Sequence, residues 1–250
     1  IPREAARKAY AHAAKLPGIN VCGIDIHIGS QITRLAPYSL AFERVAEMVE
    51  QLRGDGHTIT SIDLGGGLGI DYHDGDSPVP TPAQYAEVAT SKLGHLGCQL
   101  ILEPGRSLVG AAGVLVGSVI YIKRGSQSTF LIIDAAMNDF LRPSMYNAHH
   151  HISSDRVGNE RPQVYDVVGP VCETGDTFAR ERTLPQQSPG DLIIIEDAGA
   201  YGSVMAFTYN TRCLVPEVLA DGHEFRVIRK RPCYAELIGL DVPWDPPGAE

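Results

Sequence analysis

The chain has 250 residues with a formal charge of −9 at pH 7. That acidic balance, with no basic cluster, speaks against a nucleic-acid partner, because binding a phosphate backbone requires many phosphates to be neutralised by Lys and Arg. An apolar share of 44% can fill the core of one large domain or two modest ones. No apolar run reaches the roughly 18 residues that span a bilayer, and Ile1-Pro2-Arg3-Glu4 lacks the charged and apolar regions of a signal peptide, so a cytoplasmic protein with no membrane partner is expected. The cysteines, Cys22, Cys98, Cys172, Cys213 and Cys233, are scattered, odd in number and never in a Cys-x-x-Cys pair. They read as free thiols, and only Cys172 lies in a polar, glycine-containing context that suggests chemistry.

Residues 3–16, rich in Ala, Lys and Arg, predict a helix stopped by Pro17-Gly18. Residues 20–28 predict a strand that ends at Gly29-Ser30, followed by a helix over 37–53 with apolar spacing at Leu40, Val45, Met48, Val49 and Leu52. A second strand over 58–64 runs into Gly65-Gly66-Gly67-Leu68-Gly69. Glycine lacks a Cβ and tolerates positive φ, so such a strand end turns sharply and presents bare N–H groups to an anion, phosphate being the natural ligand. A tight turn without ligand remains the alternative. Counting excludes two better-known loops: a dinucleotide fingerprint needs glycine where Ile70 or Tyr72 stands, and no Gly-Lys-Ser/Thr follows.

A Pro- and Asp-rich loop at 71–80 precedes a helix that opens at Thr81-Pro82 and runs to about residue 93. A short strand over 99–103 then ends at Pro104-Gly105-Arg106. This alternation predicts a parallel sheet or a (β/α) barrel, in which ligands gather at the carboxyl ends of strands. Three segments obey that rule: His27-Ile28-Gly29-Ser30-Gln31, the glycine run, and Glu103-Pro104-Gly105-Arg106. Beyond Gly113 the pattern changes to strands without long helices, over 114–123, 129–135, 164–168, 192–195 and 224–228. The expected organisation is therefore a barrel portion at 1–112 and a β-rich domain at 113–250, with a loose terminus at 243–247.

Six segments occur in a telling order: the three above, then Arg142-Pro143-x-x-Tyr146, Cys172-Glu173-x-Gly175-Asp176 and Ala198-Gly199-Ala200-Tyr201-Gly202. Together they resemble the fold-type III pyridoxal-phosphate decarboxylases, and within them the branch acting on diaminopimelate. The resemblance covers nearly the whole chain. It implies a pyridoxal-phosphate-binding (β/α) barrel followed by a β-rich domain, and a homodimer with active sites at the subunit interface. It implies decarboxylation of meso-2,6-diaminopimelate to L-lysine and carbon dioxide, the last step of lysine biosynthesis.

Roles carry over residue by residue. Glu103 would pair with the cofactor's ring nitrogen, and His27 would stack on the ring. Gly65, Gly66 and Gly67 would hold the phosphate through their N–H groups, with Ser30 and the Gly105-Arg106 segment beside them. Arg106 suits phosphate or substrate carboxylate alike, and both remain open. Arg142 and Tyr146 would take the substrate's far carboxylate and Glu173 its far ammonium, while Cys172 supplies a proton to the decarboxylated carbon. Cys172 and Glu173 would serve the neighbouring subunit, and Tyr201 would touch cofactor and substrate. His149-His150-His151 follow Tyr146 without a second group of ligands, so no metal is expected.

The resemblance also implies a lysine on the first barrel strand to bind the cofactor covalently. Lys8, Lys15, Lys92, Lys123 and Lys230 do not match its motif, and about four of the eight barrel units are present. The chain thus reads as a C-terminal portion whose catalysis requires an N-terminal segment. The alternatives are a related decarboxylase of arginine, ornithine or carboxynorspermidine, and a non-catalytic truncated fragment that binds phosphate or a partner subunit. Arg142 and Tyr146 favour a substrate with a far carboxylate.

Overall fold

In a computed structural model of the chain, residues 1–72, 78–156, 161–242 and 244 are described. Residues 73–77 of the expected 71–80 loop, and the expected loose terminus apart from Trp244, therefore lie outside the described residues. The chain divides into two compact units, Ile1–Gly113 and Val114–Glu250. No helix among the described residues is long and apolar enough to cross a membrane.

The first unit is organised by α2 (Leu35–Gly54), whose Tyr38, Phe42, Val45, Met48, Val49 and Leu52 recur every three or four positions and are all buried. Leu40, expected on that stripe, is half exposed, because two residues from Tyr38 is more than half a helical turn. The stripe packs against Tyr85, Ala89 and Leu93 of α3 (Pro82–Leu93). Helix α3 starts where its sequence says it should: the Gln84 N–H donates to Thr81 Oγ1 at 3.2 Å, and the Thr81 N–H donates to Gln84 Oε1 at 2.9 Å. Helix α1 (Arg3–Ala13) buries no residue, but its Tyr10 hydroxyl donates to the Gly23 carbonyl at 2.7 Å.

Three short strands, β1 (Gly23–Asp25), β2 (Ser61–Asp63) and β3 (Gln99–Ile101), form a parallel sheet in that order. Asp25, Asp63 and Ile101 stand side by side at its carboxyl edge. The strands are shorter than their apolar runs, because beyond this edge the chains diverge into loops.

Those loops meet at the glycine run. The Glu103 N–H donates to the Gly65 carbonyl and the Ile32 N–H to the Gly67 carbonyl, both at 2.9 Å. A Cβ at Gly66 would lie 2.3 Å from the Glu103 carbonyl oxygen, and one at Gly67 would lie 2.2 Å from that of Gly29, where φ is also +92°. The short helix α4 (Arg106–Val109) follows Glu103-Pro104-Gly105 directly.

The second unit holds a six-stranded sheet built from β4 (Leu115–Arg124), β5 (Thr129–Ile133), β6 (Ile152–Ser154), β7 (Pro162–Val168), β8 (Thr177–Pro185) and β9 (Leu192–Ile195). Its order is β6-β9-β4-β5-β7-β8, with only β5 and β7 parallel. Leu131, Ile133, Phe140, Tyr165, Val167, Ile193 and Ile195 fill its core. Helix α5 (Arg142–Tyr146) connects β5 to β6. A hairpin of β10 (Glu217–Asp221) and β11 (Glu224–Arg229), then α6 (Tyr234–Ile238), complete the described elements.

One buried carboxylate ties the loops of this unit together. Asp176, 3% exposed, accepts the Met137 N–H through Oδ1 and the Val171 N–H through Oδ2, each at 2.7 Å. Gly169 gives it room, since a Cβ there would come within 2.3 Å of Oδ2. The loop so fixed, between β7 and β8, carries Cys172 and Glu173.

Two outcomes test these constraints. Gly66→Ala should cost at least about 2 kcal/mol in urea unfolding, since backbone rather than a flexible side chain must move; an unchanged midpoint would show that the loops approach less closely. Burial raises the Asp176 carboxyl from its ordinary 3.8, although the Val171 and Met137 N–H groups and the Arg212 charge oppose the shift. Its contribution to stability is therefore full below pH 3.8 and is lost as pH rises through the raised folded-state value. The stability of the parent relative to Asp176→Asn should fall across that window, as read from denaturation midpoints at stepped pH. A gap that widens with pH refutes the assignment.

Candidate active site

The carboxyl edge of the parallel sheet gathers most residues expected at a cofactor. Asp25 and Asp63 end neighbouring strands and Glu103 lies two residues past β3, and carboxylate oxygens of all three lie within 4.8 Å of one another. Three like charges at that spacing repel, so the edge favours a cationic ligand group. The sequence reading named Glu103 alone. Asp25 and Asp63 looked like ordinary strand residues until register placed them side by side.

His27, exposed in the loop after β1, packs on the glycine run, where a Cβ at Gly65 would lie 3.0 Å from its Nδ1. The expectation for the glycines needs one correction. The Gly65 N–H donates to Asp63 Oδ1 at 2.9 Å, so it is already satisfied within the strand end. The N–H groups of Gly66 and Gly67 make no hydrogen bond among the described residues.

Ser30 and Arg106 come together as expected: Arg106 Nη2 donates to Ser30 Oγ at 3.3 Å. Arg106 Nη1 also donates to the Tyr72 hydroxyl at 2.5 Å, and the guanidinium carbon lies 5.6 Å from the Tyr72 ring centroid. Tyr72 was invisible as a site residue because nothing in a Pro- and Asp-rich loop marks one tyrosine as an arginine partner. A Cβ at Gly105 would meet nothing within 4 Å, leaving open space beside Arg106.

In the second unit, Arg142 and Tyr146 stand four residues apart on α5 and so share a face. Tyr146 is exposed, but Arg142 is 7% exposed, and its Nη1 lies 2.7 Å from His150 Nε2. The histidine tract thus has a structural partner in view, which loop composition could not reveal. The loop bearing Cys172 and Glu173, both exposed, is tied to the same helix, because the Ser144 hydroxyl donates to the Gly175 carbonyl. Glu173 Oε1 accepts the Gly175 N–H at 3.1 Å, which curls the side chain over its own turn. Arg212 lies behind these loops and donates to Asp139 Oδ2 at 3.2 Å and to the Asp134 carbonyl at 2.6 Å. Tyr201 is exposed with φ +58°, a conformation that costs a bulky side chain energy and is found where a fixed geometry is needed.

Comparison with known proteins bears on this arrangement. Residues 24–199 match the model of the pyridoxal-dependent decarboxylase family, C-terminal sheet domain. A diaminopimelate decarboxylase of Neisseria meningitidis is 47% identical over 226 residues, covering 90% of this chain and 55% of that protein. The crystal structure of diaminopimelate decarboxylase from M. jannaschii superposes with a TM-score of 0.91 at 40% identity, covering 97% of this chain and 56% of that one. The enzyme from Helicobacter pylori complexed with L-lysine superposes with a TM-score of 0.88 at 38% identity, covering 95% of this chain and 58% of that one. The chain spans about half the length of the relatives it matches. Its first unit is part of a (β/α) barrel and its second a β-rich domain, and the chain belongs to the pyridoxal-phosphate-dependent decarboxylases.

Proposed function

We infer that the protein containing this chain decarboxylates meso-2,6-diaminopimelate to L-lysine and carbon dioxide. The observation that carries this reading is the pair Arg142 and Tyr146 on one face of α5, with the arginine largely buried and held by His150. A guanidinium on this face suits the second carboxylate of the substrate, a group that simple diamino acids lack. The L-lysine bound in the Helicobacter pylori relative agrees with the proposed product.

The first unit fits the family's cofactor. The N–H groups of Gly66 and Gly67, with Ser30 and Arg106 near one another, suit a phosphate, and the carboxylates of Asp25, Asp63 and Glu103 suit a protonated ring nitrogen. When bound, pyridoxal phosphate supplies an electron sink for the pair left by departing carbon dioxide. Glu103 accepts the ring N–H and keeps the proton in place. His27 covers the ring face, and Tyr201 contacts cofactor and substrate. Arg106 holds phosphate or the substrate's own carboxylate.

The second unit selects and protonates. Arg142 and Tyr146 bind the far carboxylate, and Glu173 accepts the far ammonium. The Cys172 thiol donates its proton to the carbon that lost carbon dioxide. Cys172 and Glu173 lie exposed on one clamped loop, which suits a role toward a second subunit of a homodimer.

In the complete holoenzyme, Cys172→Ala should lower turnover on the order of 100-fold or more with cofactor still bound, as followed by lysine formation and visible absorbance. Full turnover in that variant would remove Cys172 from proton transfer. Arg142→Gln should lower kcat/KM for diaminopimelate by about 10- to 100-fold. A parent enzyme that turns over ornithine or arginine well and diaminopimelate not at all would assign it to the related decarboxylases.

A further inference from the structure

His150 lies between two partners whose chemistry fixes its proton. Arg142 Nη1 is 2.7 Å from Nε2, and the Glu196 carbonyl oxygen is 2.8 Å from Nδ1. A guanidinium only donates and a carbonyl only accepts. Nε2 therefore carries the lone pair and Nδ1 the proton, so the ring is neutral in a single tautomer. Its orientation is equally constrained. The residue is 2% exposed, and the Phe140 ring packs edge-on against it at 4.7 Å and 78°. Arg182 Nη2 donates to the His150 carbonyl at 3.3 Å, and the Glu196 carboxylate is engaged by the Ser153 hydroxyl at 2.6 Å.

We propose that His150 is a positioning residue for Arg142, setting the plane of its guanidinium and so the selection of substrate by the far carboxylate. This rests on the role given to Arg142 above. The choice of imidazole has a physical reason. A neutral ring nitrogen accepts from the guanidinium and directs its fork without itself adding a negative charge. Glu196 then acts at one remove, because its carbonyl holds the proton on Nδ1 and thereby keeps Nε2 an acceptor.

The test is a set of three variants in the complete holoenzyme, with kcat and KM measured for meso-diaminopimelate. His150→Leu, which lacks an acceptor, should raise KM about 10-fold with kcat within about 3-fold of the parent. His150→Gln, which returns an acceptor, should recover KM to within about 3-fold. Arg142→Gln serves as the control. If it raises KM while His150→Leu does not, His150 is not a positioning residue although the reading of Arg142 stands. If Arg142→Gln leaves KM unchanged, both readings fall. Equal losses of kcat in the Leu and Gln variants, without recovery, would show a merely structural role and overturn the proposal. Should the Leu variant not fold, two-bond 1H–15N correlation spectra of the parent decide: a proton on Nδ1 alone supports the proposal, and one on Nε2 refutes it.

Discussion

The absence of three Cβ atoms holds the cofactor side of this chain together. Residues 65–67 let the loops after β1, β2 and β3 meet backbone to backbone. The Gly65 carbonyl receives the Glu103 N–H, so the loop bearing Glu103 is pinned to the glycine run. The same carboxyl edge brings Asp25 and Asp63 beside Glu103. Phosphate-like and cation-like recognition thus arise from one construction, in which main-chain groups do what side chains would do less rigidly.

The second unit solves the same problem of rigidity differently, with buried polar side chains. Asp176 receives two backbone N–H groups, Arg212 joins Asp139 to the Asp134 carbonyl, and His150 links Arg142 to the Glu196 carbonyl. Each of these side chains has partners that offset part of its desolvation, although Arg212 Nε is buried without one among the described residues. The loop that carries Cys172 and Glu173 is therefore not a loose appendage, and Arg142 is held on helix α5. The exposed tip of that loop rests on a hydrogen-bonded interior network, which limits its freedom to move.

What was legible in the sequence followed from local rules, and what was hidden depended on contacts across long separations. The α2 stripe, the Thr81–Gln84 cap and the glycine run are visible because spacing or residue type dictates them within a few positions. Strand β8 was missed, since Arg180-Glu181-Arg182 breaks alternation. The register shift between Tyr165 and Val167, with Glu181 at φ +53°, shows how an irregular edge strand absorbs those charges. Of the candidate site, the motif residues were readable, but Asp25, Asp63, Tyr72 and His150 gained meaning only through partners 8 to 78 positions away. The correction at Gly65 is of the same kind, since only the folded strand end shows Asp63 taking its N–H.

The charge balance gives these placements their sense. A chain carrying −9 does not draw a phosphorylated cofactor or a carboxylate toward it at long range, and at physiological salt such attraction is screened within about 8 Å. Recognition of anions must then come from cations already fixed in low-dielectric surroundings, where a single charge counts for more than a diffuse basic surface. Arg106 and Arg142 meet that requirement in the same way. Each is engaged by a neutral group, the Tyr72 hydroxyl and the His150 imidazole, which fixes its direction without adding a negative charge.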